Sequence, residues 1–178
     1  DGEKHDDPVD YVFGVYPLQQ VLLPFPGGRY QALFVCWESR SKEEGGQRWY
    51  HLYPDEPIPH TDILHWTGHA FNWNFMCADC HSTDLRKNFD LQTRRYDTTW
   101  SEMSVGCEAC HGPASEHVAW AAMGGSVETS VDPAFGFASL LADTQVEIET
   151  CARCHSRRGI LAEGFEAGVA FMDHYRPA

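Results

Sequence analysis

The sequence has no long hydrophobic run and few basic residues. No apolar stretch approaches the roughly 18 residues that a membrane-spanning helix needs, so we expect no membrane span. Lys and Arg number 13 against 26 Asp and Glu, which gives a formal net charge of −13. Such a chain lacks the basic surface that binds phosphate backbones, which argues against nucleic acid as a partner. No signal-peptide pattern opens the sequence, so we expect any secretion leader to precede it or to have been removed.

Cysteine, in contrast, is present in a strict pattern. Six of the seven cysteines form three C-x-x-C pairs, and a histidine directly follows each pair. The motifs read CADCH, CEACH and CARCH, with the cysteines Cys77, Cys80, Cys107, Cys110, Cys151 and Cys154 and the histidines His81, His111 and His155. The seventh cysteine, Cys36, lies in a strand-like apolar run and is expected to be a small buried residue.

The C-x-x-C-H pattern predicts three covalently attached c-type haems. Each sulfur then bonds a vinyl-derived carbon, and the histidine is the proximal ligand of the iron. Positions i, i+3 and i+4 of a helix share one face, so both sulfurs and the imidazole can point the same way. Helix-capping signals precede the three motifs, namely Asn72 or Asn74, a T-x-x-E box that starts at Thr99 and another that starts at Thr144.

Three other interpretations of the cysteine pairs explain less. A zinc ribbon uses two C-x-x-C pairs, which would leave one pair over and give the histidines no role. A thioredoxin-like redox motif is expected in a βαβ unit, and the sequence shows no such pattern. A disulfide framework could use six cysteines, but the histidines would again have no role. We therefore interpret the motifs as haem sites.

The remaining histidines are candidates for the second axial position of each iron. His117 lies on the first turn of a predicted helix over residues 114–123 and is expected to serve a neighbouring haem; the alternative is a solvated surface residue. His65 has apolar neighbours, and His51 ends an aromatic strand-like run. The reserve candidates are His69, His174 and His60. The four methionines are expected to fill the core rather than to bind iron.

The distribution of strand and helix signals predicts an α+β chain. The runs VYPLQQVLL and RYQALFVCW flank the turn sequence PFPGG, and QRWYHLY follows a glycine turn, which predicts a three-stranded antiparallel sheet. We expect a flexible N-terminus over residues 1–10, a β-rich subdomain over 11–60 and a helical, loop-rich three-haem cytochrome c domain over 61–178. In that domain the apolar porphyrin faces would replace much of the side-chain core.

Several stretches give the chain a family resemblance, among them YVFGVYPLQQ, GGQRWYHLYPDE, LHWTG, NWNFMCADCHST, CEACHGPASEHV and CARCHSRR. Residues 11 to 177 resemble multihaem c-type cytochromes, in particular large bacterial proteins that join such a domain to tetratricopeptide repeats. Those proteins are related to the tetrahaem cytochrome of ammonia oxidisers. Such relatives usually carry further haem motifs before and after this region, so we expect a fragment, a processed product or a compact three-haem version.

The resemblance implies electron transfer through closely packed haems, mostly with two histidine ligands each. It makes His51, His65 and His117 the distal candidates, and it places the protein in the bacterial periplasm or outside the cell. The expected partners are redox proteins with basic surfaces, other cytochrome subunits, or further copies of the chain in a filament. An enzyme acting on small nitrogen or sulfur oxides at an open haem is the alternative, but no dedicated catalytic cluster is visible.

Overall fold

A computed structural model of the chain describes residues 6–126, 134–137 and 143–178. The chain divides into two compact units. The first unit comprises Asp1–His81 and Lys87–Thr99, and the second comprises Ser82–Arg86 and Trp100–Ala178. Part of the N-terminus that we expected to be flexible, residues 1–5, lies outside the described residues.

An antiparallel sheet of order β1-β2-β3-β4 forms the framework of the first unit. Its strands are β1 (Tyr11–Phe13), β2 (Leu18–Phe25), β3 (Arg29–Glu38) and β4 (Arg48–His51). Gly27 and Gly28, with φ of 83° and 70°, make the turn between β2 and β3, where a side chain would be strained. The sheet therefore has four strands rather than the predicted three. We missed β1 because it is only three residues long and is separated from β2 by Gly14 and Pro17.

Short helices complete the first unit. A 3₁₀ helix (His69–Phe71) leads into α1 (Trp73–Met76) and α2 (Ala78–His81), and β5 (Phe89–Asp90) pairs with β6 (Arg95–Tyr96). The fully buried indole of Trp73 meets the ring of Tyr30 from β3 edge to face at 6.2 Å. Burial of such aromatic surface fixes the segment that leads to the first C-x-x-C-H motif against the sheet.

The second unit consists mainly of short helices and loops. Its helices are α3 (Glu108–His111), α4 (Ser115–Ala122), α5 (Thr144–His155) and α6 (Phe171–His174), and β7 (Arg158–Ile160) pairs with β8 (Tyr175–Pro177). A small apolar cluster of Phe165, Phe171 and Tyr175 packs with Ala152 of α5 and with Ile160. Ala152 is the second residue of the third motif, CARCH, so its packing against this cluster fixes the motif.

The capping signals were predicted with mixed success. Asn72 caps α1, since its side chain accepts a hydrogen bond from Phe75 N. The helix before Cys151 is also present, but Asp143 caps it rather than Thr144. The capping box at Thr99 was wrong, because residues 99–102 form no helix and Glu102 instead pairs with the backbone of Thr83 in an isolated β-bridge.

The fold class is α+β, as predicted: an N-terminal antiparallel sheet is followed by short helices and loops. The predicted helix over 114–123 is α4, with Ala114 and Met123 at its two caps. The domain boundary at residues 60/61 stays a prediction. Within the described residues, every helix is too short or too polar to cross a membrane.

Candidate functional site

The first motif lies on a turn that joins α1 to α2. The backbone N–H groups of Cys80 and His81 both donate to the carbonyl of Cys77, each at 3.1 Å. This single helical turn puts the three side chains on one face, as the spacing predicted. The ring of Phe13 on β1 meets the His81 imidazole edge to face at 5.6 Å, so the sheet helps to orient that histidine.

The second motif has the same local geometry. Cys110 N and His111 N donate to the carbonyl of Cys107 at 3.2 and 3.0 Å. Gly112 then ends the turn with a φ of 74°. The carboxylate of Glu108, inside the motif, accepts a hydrogen bond from Ala114 N at 2.8 Å. The motif and the start of α4 are thereby held together.

The third motif occupies the last turn of α5, the longest helix among the described residues. Cys151, Cys154 and His155 all lie on the exposed side of α5, whereas Arg153 is buried on the other side. The face that carries the sulfurs and the imidazole is therefore accessible to a large ligand.

The geometry gives no support to the alternative uses of the cysteines. No disulfide joins any of the seven cysteines. The described residues contain no group of three or more His, Cys, Asp or Glu side chains placed to hold a metal ion. A structural zinc site needs four such ligands around one point. The motifs instead present two thiols and one imidazole each, which is the donor set of a haem attachment site.

The second unit also has the apolar surface that a haem would cover. Neither α3 nor α4 buries a side chain within the part of the chain that the structure describes. A helix of a folded domain normally buries one face against a neighbour. A cavity of about 540 Å³ runs along α4, where Ala119, Trp120 and Phe137 line it. Its apolar lining and the exposed Cys107 and Cys110 are the kinds of groups that hold a haem, so the residues present fit it.

The contacts of His117 leave one of its ring nitrogens available to bind a metal. Its Nδ1 lies 2.7 Å from the carbonyl oxygen of Phe135, and a carbonyl only accepts, so Nδ1 carries the proton. Nε2 of the neutral ring is then free to coordinate a metal, and such a hydrogen bond is typical of metal-bound histidines. The imidazole stacks on Phe137 at 3.9 Å, and His111 lies 5.1 Å from the same Phe137 ring.

His65 lies in a tight turn of the first unit and is half-buried. Its Nδ1 is 2.8 Å from the hydroxyl oxygen of Thr67 and 3.3 Å from Thr67 N. Since Thr67 N–H donates to Nδ1, the proton of the neutral ring is on Nε2, and coordination through Nε2 would require the loss of this bond. The Thr67 hydroxyl could then accept from Nδ1. Phe34 and Trp66 contact the ring, both at centroid distances of 6.2 Å.

The hydrogen-bonding pattern of His51 is the opposite of that of His117. Tyr53 N–H donates to His51 Nδ1 at 3.0 Å, so the proton of the neutral ring is on Nε2. Coordination through Nε2 would require the loss of this bond, and the role of His51 stays a prediction. His174, a reserve candidate, fits better, because its Nδ1 lies 3.4 Å from the carbonyl oxygen of Ala162.

The other two reserve histidines differ in their surroundings. His69 is exposed and lies 4.6 Å from the ring of Phe75, which it meets at a tilt. His60 is exposed in an irregular segment. The structure therefore gives His60 no contact that would orient it as a ligand among the described residues.

Burial changes the acidity of one motif thiol. It raises the pKa of Cys77 from 9.0 to about 11, and the neighbouring Cys80 adds to the effect. Burial also raises the pKa of Cys36 to about 11. Both groups are therefore protonated thiols near neutral pH, which makes them slow to form disulfides, because the thiolate is the reactive species.

The contact of residues 134–137 with His117 was not predicted from the sequence. Gly136, with a φ of 81°, lets Phe135 and Phe137 reach α4. A Cβ at this position would lie 2.5 Å from His117 N. The aromatic–glycine–aromatic pattern FGF is the signal that could have suggested a close approach.

Comparison with known proteins gives one match. The model of the family described as cytochrome c7 and related cytochrome c matches residues 64–158, which include all three motifs and more than half of the chain. No curated protein and no solved structure matches. The chain therefore belongs to the family of cytochrome c7 and related c-type cytochromes, multihaem proteins that bind haem covalently and transfer electrons.

Proposed function

We propose that the chain carries three haem c groups, each with two histidine ligands, and that it transfers electrons through them. When bound, each haem iron supplies a one-electron ferric/ferrous couple. The observation that carries the proposal is that three separate helical turns each present two thiols and one imidazole. The proximal ligands would be His81, His111 and His155.

The hydrogen bonds of the spare histidines support a choice of distal ligands. His117 is the best supported, since the Phe135 carbonyl fixes its proton on Nδ1. His174 is compatible with ligation in the second unit. His65, in the first unit, requires the loss of its bond from Thr67 N–H, after which Nδ1 can donate to the Thr67 hydroxyl. His51 is an alternative that requires a change in its contact with Tyr53. An iron with two histidine ligands has no open position for substrate, which favours electron transfer over catalysis.

The finer family assignment and the location are also proposals. The sequence likeness over residues 11 to 177 supports a relation to tetratricopeptide-linked multihaem cytochromes and to the tetrahaem cytochrome of ammonia oxidisers. Covalent haem attachment in bacteria takes place outside the cytoplasm. We therefore place the protein in the periplasm or outside the cell.

The charge of the chain suggests the chemistry of its partner. With a net charge of −13, the protein would attract a redox protein that has a basic docking surface. Association should then be faster at low ionic strength, because salt screens long-range attraction. Other cytochrome subunits or further copies of this chain are the alternative partners.

The test is to produce the chain with a haem-attachment system and to titrate it with a reductant under anaerobic conditions. We expect the intact mass of a chain with three haems and the reversible uptake of three electrons per chain. A Cys107→Ala/Cys110→Ala variant should lose one haem and one electron equivalent. Fewer than three haems in the unaltered chain would contradict the proposal. An open, reactive iron would favour the alternative of an oxidoreductase for nitrogen or sulfur oxides.

A further inference from the structure

Gln31 is a fully buried polar residue near the start of β3, with 0% of its surface exposed. A buried amide is costly unless its hydrogen-bonding groups are paired. Both of its donors and its acceptor oxygen have partners, and all of those partners belong to the segment that precedes the first motif. The side-chain amide of Gln31 therefore makes all three of these hydrogen bonds to that one segment.

The two N–H groups of Gln31 hold the turn that carries His65. Nε2 donates to the carbonyl oxygen of Trp66 at 2.7 Å and to that of Gly68 at 3.0 Å. These residues flank Thr67, whose hydroxyl oxygen lies 2.8 Å from His65 Nδ1. The amide thus fixes the backbone on both sides of the residue that contacts the imidazole.

The oxygen of Gln31 holds the start of the motif helix. Asn72 Nδ2 donates to Gln31 Oε1 at 3.3 Å, and the two residues also form an isolated β-bridge. The Oδ1 atom of Asn72 caps α1 by accepting from Phe75 N at 2.9 Å. The helical turn with Cys77, Cys80 and His81 follows directly.

We propose that Gln31 is a positioning residue for the first haem, because one buried amide fixes both the turn of the distal candidate His65 and the cap of the helix that leads to the proximal ligand His81. It contacts neither imidazole and acts through Thr67 and Asn72. The inference rests on the proposed function, specifically on His65 as an axial ligand.

The sharpest variant is Gln31→Glu, which preserves the shape of the side chain. A carboxylate cannot donate, so the carbonyls of Trp66 and Gly68 lose the amide donor and face a negative charge, while the other carboxylate oxygen can still accept from Asn72. The change is therefore directed at the His65 turn. Gln31→Met removes the amide without adding charge, and it carries the same expectation if the carboxylate prevents folding.

A matched control is Gln20→Glu. Gln20 lies on the neighbouring strand, and its Nε2 also donates to a backbone carbonyl, that of Leu33, at 3.0 Å. The chemical change is the same, but the carbonyl that loses its donor, that of Leu33, lies in β3 and outside the segment that carries His65 and Asn72. His65→Ala serves as the reference for complete loss of the distal ligand.

The experiment measures carbon monoxide binding to the fully reduced holoprotein, together with the reduction potentials and the covalent haem content. We expect all variants to keep three haems. In Gln31→Glu, one haem should bind carbon monoxide with an apparent association constant about tenfold or more above that of Gln20→Glu. One reduction potential should shift and the other two should not.

The outcomes separate this inference from the proposed function. If His65→Ala opens one haem but Gln31→Glu and Gln31→Met behave like Gln20→Glu, Gln31 does not position the ligand and the inference is wrong. If His65→Ala itself opens no haem, His65 is not a ligand and the inference also fails. Fewer than three haems in the unaltered chain would instead contradict the proposed function.

Discussion

Removing the imidazole of His117 should open one haem. His117 lies on α4 with Nδ1 bonded to the Phe135 carbonyl at 2.7 Å and its ring stacked on Phe137 at 3.9 Å. If Nε2 binds an iron, His117→Ala leaves that iron five-coordinate. Since there are three motifs, one-third of the iron should become five-coordinate. The reduced variant should then bind one carbon monoxide per chain at concentrations at which the unaltered chain binds almost none.

The contacts of His117 also determine how much stability His117→Ala should lose. Alanine loses a hydrogen bond of about 1 kcal/mol and two ring contacts, with Phe137 and Trp120, of about 0.5–1.5 kcal/mol each. His117→Phe retains a ring for both contacts but has no nitrogen. It should therefore open the haem as fully as alanine does and lose less stability in urea.

The assay is a carbon monoxide titration of the dithionite-reduced holoprotein, normalised to haem content. His60→Ala is the control, because His60 is exposed in an irregular segment. That variant should bind no carbon monoxide. The reasoning is refuted if neither His117 variant binds carbon monoxide, or if His60→Ala binds as much as they do.

Three further predictions concern buried residues. Trp73→Ala should lower the free energy of unfolding by about 3–5 kcal/mol in urea, because Trp73 is fully buried, and Trp49→Ala, at a 57% exposed site, should cost far less; equal losses would contradict the packing described. In the haem-free protein at pH 8, iodoacetamide should modify Cys77 about 100-fold more slowly than a thiol with the usual pKa of 9.0, as mass spectrometry of peptides can test. Burial raises the pKa of Cys36 to about 11, so its contribution to stability is complete below pH 9 and is lost as the pH rises towards 11. Between pH 8 and pH 10.5, the urea midpoint of the holoprotein should therefore fall less in Cys36→Ala than in the unaltered chain. An equal fall in both would contradict the raised pKa of Cys36.

The motifs and the fold class could be predicted because they depend on local spacing. A histidine directly after C-x-x-C places three donor groups on one helical turn, whatever the rest of the chain does. The strand runs around Gly27 and Gly28 likewise predicted the hairpin of β2 and β3, and Asn72 was one of the two residues predicted to cap the first motif's helix.

Contacts between segments far apart in sequence could not be predicted in this way. Nothing in the spacing shows that Phe135 would orient His117, eighteen residues earlier, or that Gln31 would reach Trp66. The opposite proton positions of His51 and His117 also depend on which backbone group each ring meets. The box at Thr99 failed for a similar reason, because Glu102 pairs with Thr83 instead of starting a helix.

The most direct test of the central claim is a low-temperature EPR spectrum of the oxidised holoprotein, integrated against its haem content. The account predicts three haems per chain with every iron low-spin, since histidines fill both axial positions of each. A stoichiometric high-spin signal would contradict it, because at least one iron would then lack its second histidine.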